Sequence, residues 1–131
     1  NNRTHMIRVP EAGRFELRLM DGASNPYLLQ AGIIAAGLEG LNKRIDPGQP
    51  LMVNMYTNEK DYPNLNKLPN DLDEALQSLD DNKTLKEAFG ENVIKSYIKL
   101  KNQEINTFNE HETFDKKGPI TDWEKNNSLN C

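Results

Sequence analysis

Charged and apolar residues alternate in the segment 14–18, which reads Arg-Phe-Glu-Leu-Arg. In a β-strand successive side chains point to opposite faces, so Arg14, Glu16 and Arg18 share one face, with roughly 6–7 Å between neighbours. A guanidinium can hold a carboxylate or a phosphate through two parallel hydrogen bonds, and a carboxylate suits a hard cation such as Mg²⁺. The pattern fits an anion- and metal-binding face. It also fits a solvated row of ordinary ion pairs, and periodicity alone favours that second interpretation.

Arginine is confined to the first third of the chain. Residues 1–44 contain all five arginines, whereas every basic residue in 45–131 is a lysine. Lysine lacks the planar fork that binds phosphate and carboxylate at two points, so the first third is the candidate anion-binding part. The net charge is -4 and no basic stripe is sustained, which argues against a nucleic acid as the partner.

Two strands are expected to position these arginines. Residues 6–9 and 14–20 are strand candidates, and residues 10–13, Pro-Glu-Ala-Gly, supply turn chemistry between them. An antiparallel β-hairpin is therefore predicted over residues 3–20.

The rest of the chain is predicted to be mostly helical, which makes the expected fold class α+β. Asn25 and Pro26 form a helix start, and the apolar, alanine- and glycine-rich stretch that follows predicts a buried helix over 26–41. An irregular loop is expected over 46–69. Further helices are predicted at 70–79, 83–89 and 91–112, with a short one at about 121–125 capped by Thr121.

Composition limits the classes of protein that the chain can represent. Its 131 residues suit one domain, and no apolar run of about 18 residues predicts a membrane span. The single cysteine, Cys131, excludes a disulfide within the chain and favours a reducing, cytoplasmic location. Its terminal position makes it a poor candidate nucleophile. The chain begins at Asn1 without an initiator methionine, so we expect it to be the C-terminal part of a longer protein.

Three motifs occur in order near the start of the chain. They are Asn2-Arg3-Thr4-His5-Met6-Ile7-Arg8-Val9-Pro10, Arg14-Phe15-Glu16-Leu17-Arg18 and Asp21-Gly22-Ala23-Ser24-Asn25-Pro26-Tyr27. A helix of small residues follows, which Gly40 is expected to close. The ordered set resembles the C-terminal signature of the glutamine synthetase catalytic domain, strongly over residues 2–41 and more weakly over 42–112.

The resemblance implies a role for each charged residue. Arg3 would contact the γ-carboxylate end of glutamate and the phosphoryl group passing to it, as a catalytic and substrate-binding residue, and Arg18 would bind the substrate glutamate. Arg8 and Arg14 would face the ATP phosphates. Glu16 would be a ligand of Mg²⁺ or Mn²⁺. The implied reaction forms γ-glutamyl phosphate from glutamate and ATP, and ammonia then displaces phosphate to give glutamine.

The resemblance leaves the amine open. The segment 18–23 differs from the commoner family version, so a γ-glutamyl-amide synthetase that uses methylamine is an alternative to the ammonia-dependent ligase. A non-catalytic interaction module on the same scaffold is another. Family members form homo-oligomeric rings, which we expect of the full-length parent. The remaining metal ligands and the catalytic base of the family would precede Asn1, so the isolated chain is predicted to be inactive.

Three further residues are expected to have structural or unmodified roles. His5 is expected to pack within the hairpin region rather than to bind a metal. Tyr56 lies near the position at which some bacterial members are adenylylated, but the residues after it depart from their pattern, so no modification is expected. Trp123 is expected to anchor the last helical turn by packing.

Overall fold

The computed structural model describes residues 4–20, 22–111 and 120–127. It divides into two compact units. The first comprises Asn1–Ser24 and Asp46–Lys67, and the second comprises Asn25–Ile45 and Leu68–Cys131. Of the residues named above, five lie outside the described residues: Asn1, Asn2, Arg3, Asp21 and Cys131.

The first unit contains the predicted antiparallel hairpin, which is confirmed. Strand β1 spans Ile7–Glu11 and strand β2 spans Arg14–Leu17. Gly13 closes the turn with φ 81°, in the left-handed region that glycine adopts without steric cost. The strands are shorter than the predicted 3–20, although the Arg18 N–H still donates to the Met6 carbonyl at 2.9 Å.

Pro10 was predicted to lie in the turn, but it lies within β1. The strand register pairs Arg8 with Glu16 and Glu11 with Arg14, with an irregularity between Arg8 and Glu11. One extra residue on β1 therefore faces β2 there, as in a β-bulge. Proline has no N–H to donate, and a bulge interrupts the ladder where that donor would be needed.

The segment 46–69, predicted to be irregular throughout, contains two short helical pieces. Helix α2 spans Met55–Asn58, and a 3₁₀ helix over Glu59–Asp61 follows it directly. Asn54 caps α2, because its side-chain oxygen accepts a hydrogen bond from the Tyr56 N–H at 3.0 Å. The prediction missed this start because four residues are too few to show a helical period.

The second unit is helical. Helix α1 spans Pro26–Asn42, α3 spans Leu72–Asp81, α4 spans Lys83–Phe89, α5 spans Glu91–His111 and α6 spans Asp122–Asn127. Each of these bounds lies within two residues of the predicted one. Across the described residues, no helix has both the length and the apolar character needed to span a membrane.

Side-chain caps fix where most of these helices begin. The Asn25 side-chain oxygen accepts from the N–H groups of Tyr27 and Leu28 at 3.0 and 3.1 Å. The last helix begins with a capping box: the Glu124 N–H donates to the Thr121 hydroxyl at 3.1 Å, and the Thr121 N–H donates to the Glu124 carboxylate at 2.7 Å. The predicted cap at Thr121 is therefore confirmed.

The core of the second unit is small. Among the described residues only Leu76 and Ile94 are buried, and they come from α3 and α5. Helix α4 contacts α1, α3 and α5, so it connects α1 to the remaining helices. The ring of Trp123 meets that of Phe108 edge to face, with centroids 5.4 Å apart, which confirms the predicted packing anchor.

The expectation that helix 26–41 is buried was wrong. No residue of α1 is buried, because α4 is the helix that packs against it and the other faces of α1 remain exposed. A Cβ at Gly32 would lie 3.9 Å from the Phe89 ring, so this glycine marks the approach of α4. Gly37 and Gly40 have no such neighbour within 4 Å.

Gly40 does not close α1, contrary to the prediction. The helix continues to Asn42, and Arg44 adopts φ 50° just beyond it. The Ile45 N–H then donates to the Gly40 carbonyl at 2.9 Å, and the Arg44 N–H donates to the Leu41 carbonyl at 3.2 Å. This is the hydrogen-bond pattern of a Schellman motif, with arginine where glycine is usual.

Candidate active site

The hairpin brings Arg8 directly opposite Glu16. These two residues are register partners on adjacent strands. One terminal nitrogen of Arg8, Nη1, lies 3.0 Å from both carboxylate oxygens of Glu16. Strand pairing thus joins Arg8, from the first of the three motifs, to Glu16, from the second.

Arg14 also contacts this carboxylate, from two positions along the same strand. Its Nη2 donates to Glu16 Oε1 at 3.0 Å, while its Nη1 lies 3.6 Å from Glu11 Oε1. We call Arg8, Glu11, Arg14 and Glu16 the hairpin charge cluster. Within it two guanidiniums and two carboxylates neutralise one another.

Arg18 lies one strand position beyond β2, on the face that alternation predicts. Its positive charge adds to the field at Glu16. The pKa of the Glu16 carboxyl lies below its ordinary value of 4.5, first because Arg8 donates a hydrogen bond to it and then because the charges of Arg8, Arg14 and Arg18 favour the ionised form. Glu16 is therefore a carboxylate at neutral pH.

The cluster is accessible to a ligand. The side chains of Arg8 and Arg14 are 53% and 60% exposed, and that of Glu16 is 31% exposed. Ion pairs this exposed add little to the stability of the folded state, so the cluster is not needed to hold the hairpin together. Exposure of two guanidiniums side by side suits them to bind an anion instead.

Glu16 has the chemistry of one ligand for a hard cation. In the described ranges, however, no group of three or more histidine, cysteine, aspartate or glutamate side chains is placed to hold a metal ion. Both oxygens of Glu16 also accept hydrogen bonds from arginine. The described residues therefore do not form a metal site by themselves.

The sequence identified Arg8 and Arg14 as candidate phosphate-binding residues, but it did not predict that both contact Glu16. It also did not identify Glu11 as a residue of the cluster. Simple alternation would place Glu11 on the face opposite Arg8. The irregularity between them shifts the alternation by one residue, so that Glu11 pairs with Arg14. Pro10 in a strand is the one sequence signal that could have indicated this shift.

His5 lies beside the hairpin without joining the cluster. Its Nε2 donates to the Val53 carbonyl at 3.3 Å, which links the residues before β1 to the segment that leads into α2. This contact supports the packing role expected for His5. Tyr56 is 71% exposed on α2, and the absence of its modification stays a prediction.

The second unit has a polar groove along α5, where α3 ends. Its lining includes Asp80, Lys95, Lys99, Asn102 and Gln103. Lysine and amide groups can solvate an anion but do not present a two-point fork. The hairpin therefore remains the better candidate for a phosphate site.

Comparison with known proteins gives a consistent result. The family described as "Glutamine synthetase, catalytic domain" matches residues 1–117. The glutamine synthetase of Rhizobium leguminosarum bv. phaseoli is 47% identical over 129 residues, which is 98% of this chain and 28% of the relative. The glutamate–methylamine ligase of Methyloversatilis universalis is 37% identical over 132 residues, with the same shares covered.

A solved structure is similar over the whole chain. It is described as a GmaS/ADP complex in its first conformation, and it is 39% identical to this chain with a TM-score of 0.77. The match covers 100% of this chain and 28% of that one. The chain thus spans between a quarter and a third of the length of these relatives.

Proposed function

Because the chain belongs to the family of glutamine synthetase catalytic domains, we propose that it is the C-terminal part of an ATP-dependent glutamate–ammonia ligase. The observation that carries this proposal is the exposed pairing of Arg8 and Arg14 around Glu16 on the hairpin. The three residues come from the motifs that resemble the family, and strand pairing makes them neighbours.

In this proposal the two guanidiniums of Arg8 and Arg14 bind ATP phosphates. Transfer of a phosphoryl group concentrates negative charge on its oxygens and on the leaving diphosphate, and positioned cations lower that barrier. The two arginines lie on adjacent strands whose pairing fixes the positions of their backbones, so both guanidiniums can reach the same phosphate group.

Arg3 and Arg18 complete the proposed substrate side. Arg18 binds the substrate glutamate, and Arg3 contacts its γ-carboxylate end and the phosphoryl group in transit, as a catalytic residue. The γ-carboxylate attacks the terminal phosphorus of ATP and ADP leaves, which yields γ-glutamyl phosphate. Ammonia then attacks the acyl carbon, loses a proton and expels phosphate, which yields glutamine.

Glu16 is proposed as one ligand of Mg²⁺ or Mn²⁺, together with ligands from parts of the parent protein other than the described residues. Such a cation, when bound, neutralises phosphate charge. The ring-shaped homo-oligomer and the cytoplasmic location expected from the sequence belong to the same proposal for the parent protein.

A second candidate function is a glutamate–methylamine ligase. It is supported by the similarity to a relative with that name and to the GmaS structure. The two functions share every step up to γ-glutamyl phosphate and differ in the amine that attacks it. Assays of the full-length parent with ammonia and with methylamine separate them by which amine supports release of phosphate.

The decisive test compares Arg14→Lys with Arg44→Lys in the full-length parent. Both variants keep the charge and remove the guanidinium fork, but Arg44 lies beyond α1 rather than in the hairpin. We expect Arg14→Lys to lower ATP-dependent phosphate release about tenfold to a hundredfold, whereas Arg44→Lys stays near wild type. Equal activity of the two variants would refute the phosphate-binding role of Arg14.

The isolated chain of 131 residues is predicted to lack synthetase activity. Its described residues provide anion-binding arginines and one proposed metal ligand, Glu16, but no group of side chains able to hold a metal ion. Release of phosphate from ATP in the presence of glutamate and ammonia measures this directly. Turnover by the purified chain above a no-enzyme control would contradict the prediction.

A further inference from the structure

Glu16 lies where a phosphate would have to bind. Its carboxylate accepts hydrogen bonds from Arg8 and Arg14, the two arginines to which phosphate binding was assigned. We propose that Glu16 is an internal counter-ion that competes with phosphate for these two guanidiniums. This inference rests on the phosphate-binding role proposed above and adds to it a mechanism of control.

The geometry makes the competition direct. Arg8 directs Nη1 at both oxygens of Glu16, and Arg14 directs Nη2 at one of them, all at 3.0 Å. A phosphate oxygen that takes those N–H donors removes them from the carboxylate. Two anions held against the same guanidiniums would also repel each other. The affinity for phosphate is therefore lower, whether phosphate displaces Glu16 or binds beside it.

The charge balance of the hairpin leads to the same conclusion. Arg8 and Arg14 carry two positive charges, and Glu11 and Glu16 carry two negative ones within 3.6 Å of them. The hairpin charge cluster is therefore neutral and attracts an anion weakly. Removing the charge of Glu16 leaves a net positive cluster in which Arg8 loses its carboxylate partner and Arg14 keeps only Glu11, at 3.6 Å.

The test titrates metal-free pyrophosphate, with a chelator present, into the 131-residue chain and follows the amide resonances of the hairpin by NMR. Every chain that is compared also carries Ile34→Lys and Leu38→Lys, which replace two exposed apolar side chains of α1 so that the sample stays monomeric. Glu16→Gln is compared with Glu11→Gln, which removes the same charge from the same hairpin. Glu11 contacts Arg14 at 3.6 Å, whereas Glu16 contacts both arginines at 3.0 Å. We expect Glu16→Gln to bind pyrophosphate about threefold to tenfold more tightly than wild type, and Glu11→Gln about twofold or less.

Equal affinity of wild type and Glu16→Gln, or an equal gain in Glu11→Gln, would overturn the counter-ion role. The double variant Arg8→Ala/Arg14→Ala separates this failure from failure of the proposed function. If the double variant abolishes pyrophosphate binding while Glu16→Gln gives no gain in affinity, the arginines bind phosphate but Glu16 does not compete with it. If binding does not depend on the two arginines, both the phosphate-binding role and the counter-ion role are refuted.

A cross-strand nuclear Overhauser effect between Ile7 and Leu17, which are register partners, reports whether the hairpin survives each substitution. Should Glu16→Gln lose that signal, Glu16→Asp takes its place. Aspartate keeps the charge but shortens the side chain by one methylene group, so its contacts to the arginines weaken. An affinity of Glu16→Asp for pyrophosphate that lies between the wild-type affinity and the one expected for Glu16→Gln supports the proposal. An affinity equal to that of wild type contradicts it.

Discussion

For single residues, the hairpin charge cluster has short hydrogen bonds at Glu16 but adds little to the stability of the folded hairpin. Three hydrogen bonds of 3.0 Å join its carboxylate to two arginines. Exposed ion pairs gain little over hydration by water, so these contacts add little to the stability of the hairpin. They do hold the guanidiniums in fixed positions, which matters for a ligand that binds to both.

Arg44 adopts a backbone conformation that is unfavourable for any residue other than glycine. Its φ of 50° lies in the left-handed region, where a side chain with a Cβ is disfavoured. We expect Arg44→Gly to stabilise the second unit by about 0.5–1 kcal/mol, because glycine adopts this conformation without that penalty. Chemical denaturation followed by circular dichroism at 222 nm measures the change.

Arg44→Ala is the matched control for this prediction. It removes the same charged side chain but keeps the Cβ, so we expect no gain in the free energy of unfolding. Equal stabilisation by alanine and glycine would show that the side chain, rather than the backbone, sets the cost at this position.

At the scale of elements, a carboxylate on α1 connects two helices of the second unit. The pKa of Glu39 is lowered from 4.5, first by a hydrogen bond from Lys43, then by one from Thr84 on α4, and also by the charge of Lys43. A carboxyl group whose pKa is lower in the folded state contributes stability above its unfolded pKa. That contribution is lost as the pH falls through the folded pKa.

Glu39→Gln should therefore lower the melting temperature at pH 7 and lower it progressively less as the pH falls below about 4.5. Thermal unfolding of wild type and variant from pH 7 to pH 3 measures the difference. Glu87→Gln, which removes an exposed carboxylate from α4, serves as the control for general loss of negative charge. A difference between Glu39→Gln and wild type that does not change with pH would refute the assignment.

At the scale of the whole molecule, exposed apolar side chains outnumber buried ones. Only Leu76 and Ile94 are buried in the part of the chain that the structure describes. The hairpin exposes Val9 at 70% and Phe15 at 63%, and α1 exposes further large apolar side chains. Surfaces of this kind are usually covered by another part of the protein or by a partner.

The isolated chain is therefore predicted to self-associate at micromolar concentrations. Ile34 and Leu38 are 61% and 53% exposed, and one helical turn separates them, so they lie on one face of α1. The double variant Ile34→Lys/Leu38→Lys should shift the distribution in light scattering towards the monomer without loss of helical circular dichroism. A monodisperse wild-type monomer would contradict this prediction.

The local elements were predictable because short-range chemistry sets them. Asn25 before Pro26 caps α1, Thr121 caps α6, and Gly13 closes the hairpin turn, each through groups only a few residues apart. Alternation likewise placed Arg14, Glu16 and Arg18 on one face. The local predictions that were wrong also have short-range causes. Helix α2 is too short to show a helical period, and Arg44 occupies the position after α1 where glycine is usual.

The family resemblance, the order of the elements other than α2 and the 3₁₀ helix, and the residue types available for chemistry could all be read from the sequence. Which of these residues meet became known from the three-dimensional structure. The register of β1 against β2 brings Arg8 opposite Glu16, and the shift between Arg8 and Glu11 brings Glu11 opposite Arg14. Packing likewise decided that α1 has α4 as its neighbour and remains exposed elsewhere. Pairing and burial depend on residues far apart in the chain, so local pattern does not determine them.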